Sequence, residues 1–267
     1  MKSLFKLGGS LSPKSSTLAG IGGFLFLIGA WFLITDWTGW VRPETIPSPI
    51  DVFTSIGELY NQPKHGLMDS AWYSIGLNVR GFMEAISIAV PLGFLLALIP
   101  LMRGMFSKNF QLLRFVPITG LTGVFIAWFG IGTPMKAHFL AFGVLVYLLP
   151  VVIQRVYETE KVHLDTVFTL GANSWQTFRK VYLPSVLSKV IVDIRVIVSI
   201  SWTYIIVAEM VNNSEGGLGS MIFWASKQSR LDKIFAIMLI IILIGIIQDM
   251  LFRLIERIFF KFKFAQK

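Results

Sequence analysis

The sequence predicts an all-α polytopic membrane protein, with six transmembrane helices in a single domain over residues 1–267. Three observations predict it. The apolar fraction is 54% and the charged fraction only 15%, where a soluble domain carries about 25% charged residues; mean hydropathy is +0.69. The apolar residues gather in runs close to the ~20 residues that cross a bilayer as a helix. The basic residues sit mainly beside those runs, where they set membrane topology. The net charge of +9 therefore belongs to membrane flanks and not to a nucleic-acid surface.

The elements follow in order. Leu18 to Trp40 is the first span, with Asp36 near its outer end. It is too long for the apolar part of a signal peptide and lacks a small-residue cleavage site, so it is read as retained. IPSPIDVF (Ile46 to Phe53) begins extended at its two prolines and passes into a short helix lying on the membrane surface. Ala85 to Met102 is the second span, its helix extending back through Arg80 and Glu84. Phe115 to Met135, uncharged throughout, is the third, and Ala137 to Gln154 the fourth. A polar insert occupies about 157–186. Leu187 to Ala208 is the fifth span and carries Lys189, Asp193 and Arg195 in its first half. NNSEGGLGS (Asn212 to Ser220) is a turn whose glycines allow backbone conformations closed to other residues. Ile234 to Gln248 is the sixth span, its helix running on to about Phe260.

Orientation comes from the basic residues. With the N-terminus in the cytoplasm, fifteen of the 24 Lys and Arg fall in inside segments and six in outside segments. The other three, Arg80, Arg114 and Arg195, lie within or at the edge of spans. This bias puts both termini and the polar insert in the cytoplasm, and about 41–69 and 209–233 on the outside.

The insert reads as two short helices. Leu164, Val167, Phe168 and Gly171 fall at i, i+3, i+4 and i+7 and share a face. Gly171 suits the left-handed residue that ends a helix. Asn173 caps the next helix, with Gln176 three residues on completing a capping box. Trp175, Phe178, Val181 and Tyr182 lie on one side of that helix, and Leu183-Pro184 stops it. Such apolar faces are buried either on the chain's own bundle or on a partner. The tether between two spans speaks against a DNA-binding helix-turn-helix.

The same stretch resembles the EAA loop of ABC-transporter permeases, E-A-A-x3-G-x9-I-x-L-P. Asp165-Thr166-Val167 occupies the first three positions, then Gly171 followed by Ala172, then Val181, and finally Leu183-Pro184, without a gap. Asp replaces Glu, Thr and Val replace the alanines, and Val replaces Ile. From about Ile46 to Phe260 the chain is similar to the nitrate/sulfonate/taurine branch of importer permeases. The carriers are Ile46–Pro49, Arg114 and Pro117, Trp128-Phe129-Gly130-x-Gly132 with Lys136 beyond, and Ala208-Glu209-Met210 followed by Gly217-Leu218-Gly219. Between Pro117 and Trp128, where relatives are proline-rich, this chain reads ITGLTGVFIA.

The resemblance implies a type I ABC importer permease fold in a bacterial inner membrane. It implies that Asp165, Thr166, Val167, Gly171, Ala172, Leu183 and Pro184 dock a separate ATPase subunit, present as a dimer. It further implies a second permease copy and a periplasmic or lipid-anchored substrate-binding protein. The solute would be a small anion such as a sulfonate, taurine, nitrate or bicarbonate; a heterocyclic vitamin precursor is the alternative. A secondary transporter or channel is the rival class, but no internal repeat supports it.

Ionisable groups inside spans are costly and mark pathways or pairs. Arg114 and Arg195 are candidate cations on an anion's route, with Trp128, Trp202 and Glu209 as further candidate lining residues. Arg80 and Glu84, at i and i+4, read as a self-neutralising pair. Asp249, Arg253, Glu256 and Arg257 read as a solvated helix end. No enzyme signature is present. Gly8, Lys14 and Ser15 approach a phosphate loop, but Pro13 replaces its second glycine and no strand precedes it. With no cysteine and three scattered histidines, no metal or other cofactor is expected.

Overall fold

A computed structural model describes residues 11–42, 45–62 and 65–261. Gly8 and the basic flanking residues Lys2, Lys6, Lys64, Lys263 and Lys267 lie outside the described residues. Among the described residues, five helical stretches are long and apolar enough to cross a membrane: Pro13–Trp37, Leu67–Leu98, Thr133–Tyr157, Ser174–Val211 and Leu231–Phe259. Two helices that meet at 90°, Pro100–Phe115 and Ile118–Phe129, together have the length and apolar composition of a sixth, broken at the bend.

The first stretch is α1 (Pro13–Phe32), extended by a π-helical turn over Leu33–Trp37. Pro13 opens α1 behind Ser12, whose hydroxyl accepts from the Ser15 amide, because a proline's missing donor costs nothing in the first turn. None of α1 is buried. Trp31 donates to the Pro47 carbonyl at 3.0 Å. After the extended IPSP segment comes α2 (Pro49–Tyr60), capped by Ser48 accepting from Asp51 at 3.1 Å. Val52, Ser55 and Leu59 face inward, while Ile50 and Phe53 are exposed.

The helix α3 (Leu67–Leu98) is 32 residues long and starts well before the apolar run that announced it. It ends at Ile99, which is extended because Pro100 disfavours helix in its predecessor. Met102, expected in the second span, belongs instead to α4 (Pro100–Leu112). The expected third span, Phe115 to Met135, is not one helix. Two 3-10 turns (Leu113–Phe115 and Ile118–Leu121) flank Pro117, and only α5 (Thr122–Phe129) is α-helical before the chain turns at Gly130 and Gly132. Uncharged composition satisfied the length requirement, but Pro117 removes a donor where a continuous helix needs one.

At the centre is α6 (Thr133–Tyr157), packed against α3 on one side and against α9 (Leu183–Val211) on the other. Small residues at four-residue spacing on α3, namely Gly81, Ala85, Ala89 and Gly93, let α6 approach closely. A Cβ on Gly93 would lie 2.5 Å from Val152, and one on Gly81 would lie 2.8 Å from Leu140. Between α6 and α9 come α7 (Lys161–Thr169) and α8 (Ser174–Thr177). After the turn beyond α9, α10 (Leu218–Lys227) packs on α9, and α11 (Leu231–Phe259) closes the bundle against α2, α9 and α10. The two ends of the bundle are called here the hairpin end, at α7 and α8, and the turn end, at α2 and α10.

Candidate functional site

The α7–α8 hairpin is built as its sequence suggests. Gly171 has φ +75°, and the Ala172 amide donates to the Val167 carbonyl at 3.0 Å. The capping box closes in both directions. Gln176 N–H donates to Asn173 Oδ1 at 2.9 Å, and Asn173 N–H donates to Gln176 Oε1 at 2.9 Å. Asp165 and Thr166 are exposed on α7, with Val167 half-buried beside Leu164. The hairpin thus brings Asp165, Thr166, Val167, Gly171 and Ala172 into one compact element.

Leu183-Pro184 does not stop α8, in contrast to the expectation. A π-helical turn over Phe178–Tyr182 carries the backbone directly into α9, so Ser174–Val211 is one continuous stretch. Pro184 sits in the first turn of α9, and the wider π-turn accommodates its missing donor.

Two anchors hold the hairpin to the bundle. Phe178 meets Phe94 of α3 edge-on at 5.2 Å and stacks on Trp175 at 5.5 Å. Behind it, Arg155 of α6 makes a bidentate pair with Asp193 of α9, both bonds 2.7 Å, and also holds Glu158. Lys189 donates to the Glu158 carbonyl at 2.9 Å. The Arg155 and Gln154 donors keep the Glu158 carboxyl below the ordinary glutamate range. Outward, the hairpin leaves Val162, Phe168, Leu170 and Trp175 exposed, at 58–79%. These are large apolar side chains on a capped, otherwise polar element at the hairpin end.

The candidate pathway residues separate. Arg195 is turned to α11, its Nε 2.7 Å from Asp249, with Glu256 3.9 Å from its NH1. Asp249 is shared with Arg253 and Glu256 is buried, so this end of α11 is an interhelix ion network and not a solvated face. Trp202 is buried and donates to Gln248 of α11 at 2.8 Å. Arg114 is exposed at the α4–α5 bend, its guanidinium 5.8 Å from the Phe115 ring. Trp128 is 70% exposed at the end of α5.

Glu209 has no exposed surface. Its Oε1 accepts from Ser74 of α3 at 2.7 Å and its Oε2 from the Gly219 amide at 2.8 Å, while the Leu218 amide donates to Ser74 Oγ. It therefore fastens the N-terminus of α10 to α9 and α3. Nearby, buried Lys136 lies 3.5 Å from Glu215 and 3.3 Å from the Tyr73 hydroxyl. Burial alone would raise the Glu215 carboxyl. The Thr133 and Tyr73 hydroxyls and the Lys136 charge outweigh it and hold the group below its ordinary value of 4.5.

Other groups escaped sequence reasoning. Glu84 does not pair with Arg80; it reaches across to His138 of α6, Oε1 to Nδ1 2.6 Å. The Arg155–Asp193 pair spans 38 residues and Tyr73–Glu215 spans 142, separations at which no local pattern reports a contact. At the turn end Arg230 binds Glu58 and Asp232, and Lys233 binds Glu58 at 3.1 Å. Lys233 and Arg230 together lower the Glu58 carboxyl. Glu58, Arg230 and Asp232 border a cavity of about 360 Å³ lined also by Asp51 and Ser55.

Comparison with known proteins agrees with this architecture. Residues 89–261 match the family model described as binding-protein-dependent transport system inner membrane component. A putative ABC transporter permease protein of Methanocaldococcus jannaschii is 30% identical over 201 residues, covering 75% of each chain. The bicarbonate transport system permease protein CmpB of Synechococcus elongatus is 28% identical over 256 residues, covering 91% of this chain and 87% of that one. The putative aliphatic sulfonates transport permease protein SsuC of Bacillus subtilis is 26% identical over 237 residues, covering 89% and 84%. With the family model spanning well over half of it and the helices of a multi-pass bundle in place, the chain belongs to the family of ABC-transporter permeases that are inner-membrane components of binding-protein-dependent transport systems.

Proposed function

We propose that this chain is the membrane-spanning permease subunit of an ABC importer for a small anion, driven by ATP hydrolysis on a separate subunit. The observation that carries the coupling role is the hairpin. It is capped at Asn173, reversed at Gly171, braced by Arg155–Asp193, and studded with exposed Phe168, Leu170 and Trp175. An ATPase cleft that covers these side chains removes apolar area from water. The continuous helix from Ser174 to Val211 then conveys the hairpin's displacement along α9 to the turn end. The relatives named for bicarbonate and aliphatic sulfonates support an anionic solute of this size.

In this reading the hairpin end is cytoplasmic and both termini lie there. A binding protein docks at the turn end, and a second copy of the chain completes the pathway. Two features fit a second copy: none of α1 is buried, and Trp128 and Phe115 are left exposed at 70% and 76%. The test is purification of the tagged chain in mild detergent with its co-expressed ATPase, followed by uptake in vesicles. A stoichiometric complex is expected. Gly171→Pro, which cannot reach φ +75°, is expected to lower ATP-driven uptake roughly tenfold or more while the chain still inserts. Unchanged uptake in that variant, or a chain that purifies alone, would overturn the coupling role.

A further inference from the structure

Arg80 lies 13 residues into α3, about 20 Å from its start, within a helix long and apolar enough to cross a membrane. Its side chain is exposed. Among the described residues no hydrogen bond, ion pair or ring contact engages its guanidinium, in contrast to the cations of α6 and α9. Arg155 has Asp193, Arg195 has Asp249, and Lys136 has Glu215. An arginine turned to lipid within such a helix is costly, so an exposed one there calls for a ligand or an aqueous route.

Its surroundings are polar as well. Tyr73, Arg80, Glu84 and Ser87 fall at i, i+7, i+11 and i+14 and so share one stripe of α3, beside the small-residue seam, with Tyr73 and Glu84 bonded across to Thr133 and His138 of α6. Glu84 is held by His138, Oε1 to Nδ1 2.6 Å, and Phe129 of α5 lies against that imidazole at 4.4 Å. The stripe thus carries a guanidinium that no side chain engages, flanked by the exposed aromatic end of α5.

We propose that Arg80 is the anion-recognition residue of the translocation route, exposed on the α3 stripe to receive a carboxylate-, sulfonate- or bicarbonate-sized oxyanion. The two N–H edges of its guanidinium match two oxygens of such a group. Glu84 does not compete for it, because His138 holds that carboxylate away. The assignment rests on the importer reading and moves the route's cation from Arg114 and Arg195 to Arg80.

The chain contains no cysteine, so a single thiol can report on the stripe. Gly76 lies one helical turn from Arg80, and a Cβ there meets nothing within 4 Å. In the complete transporter in membrane vesicles, Gly76→Cys is treated with an anionic sulfonatoethyl or a cationic trimethylammonioethyl methanethiosulfonate. The sulfonate reagent is itself a small oxyanion. Leu243→Cys, on the exposed flank of α11, is the lipid-facing control.

The Gly76 thiol is expected to react readily while the control does not, and the anionic reagent is expected to be preferred. Adding Arg80→Gln should shift that preference toward the cationic reagent by about tenfold, and Arg80→Lys should restore most of it. No shift with Arg80→Gln, or a Gly76 thiol as inert as the control, overturns the proposal. So does spontaneous cross-linking of Arg80→Cys between two copies, which would make the stripe an interface between them. These results are read independently of ATPase co-purification, so loss of the anion site and loss of the importer reading are told apart.

Discussion

At Glu209 a carboxylate without exposed surface accepts from Ser74 and from the Gly219 amide, with Lys136 and Glu215 close by. Gly217 and Gly219 make this approach feasible. A Cβ on Gly217 would lie 2.4 Å from the Glu209 carboxyl, and one on Gly219 would lie 2.4 Å from the Ile206 carbonyl. Glu209→Ala strands a buried hydroxyl and an amide, a cost of about 3 kcal/mol. The apparent melting temperature of the purified chain is expected to fall by about 5–10 °C, and by less for Glu209→Gln, which keeps one acceptor; scanning fluorimetry in detergent checks it. Glu215 supplies an acid limb to stability. Its pKa is lowered in the folded chain, so its contribution is complete above the ordinary value of 4.5 and disappears as pH falls through the lower folded value. Melting temperature should therefore stay level from neutral pH down to about 5 and decline below 4.5. Glu215→Gln should flatten part of that decline.

At the scale of elements, the seam between α3 and α6 is where the bundle is tightest. Gly93→Leu drives a side chain into Val152 and Leu149, and overpacking of this kind costs about 1–3 kcal/mol or more. The yield of monodisperse protein is expected to drop severalfold, whereas Gly104→Leu, where a Cβ meets nothing within 4 Å, should leave it unchanged; size-exclusion profiles decide. How far each element was legible depended on whether its signal was local. The capping box at Asn173 and Gln176, the left-handed Gly171 and the proline-opened α2 were readable, because each is a bond or a dihedral within a few residues. The third crossing was not. Phe115 to Met135 has the composition of a span, but Pro117 and the bend belong to backbone geometry that hydropathy does not register. Pro184 misled in the opposite direction, since a π-turn absorbed the break that a proline usually imposes.

For the whole molecule, the multi-pass helical architecture was the most legible property and the site the least. The 15-to-six bias of basic residues predicts that a C-terminal green fluorescent protein fusion glows while a C-terminal alkaline phosphatase fusion stays inactive; the reverse pattern would invert the bundle and return the hairpin to the outside. By itself the sequence determined a multi-pass helical chain with a capped polar hairpin, because hydropathy, charge bias and caps are additive over neighbouring residues. Only the tertiary structure decided which intramembrane charges are spent on one another. Asp193 and Arg195 are two residues apart, yet one binds α6 and the other α11. Glu84 turned to His138, and no side chain among the described residues engages Arg80. A charge's partner is set by which helices meet and how they are rotated. That rotation follows from close packing along Gly81, Ala85, Ala89 and Gly93, which no single stretch of sequence encodes.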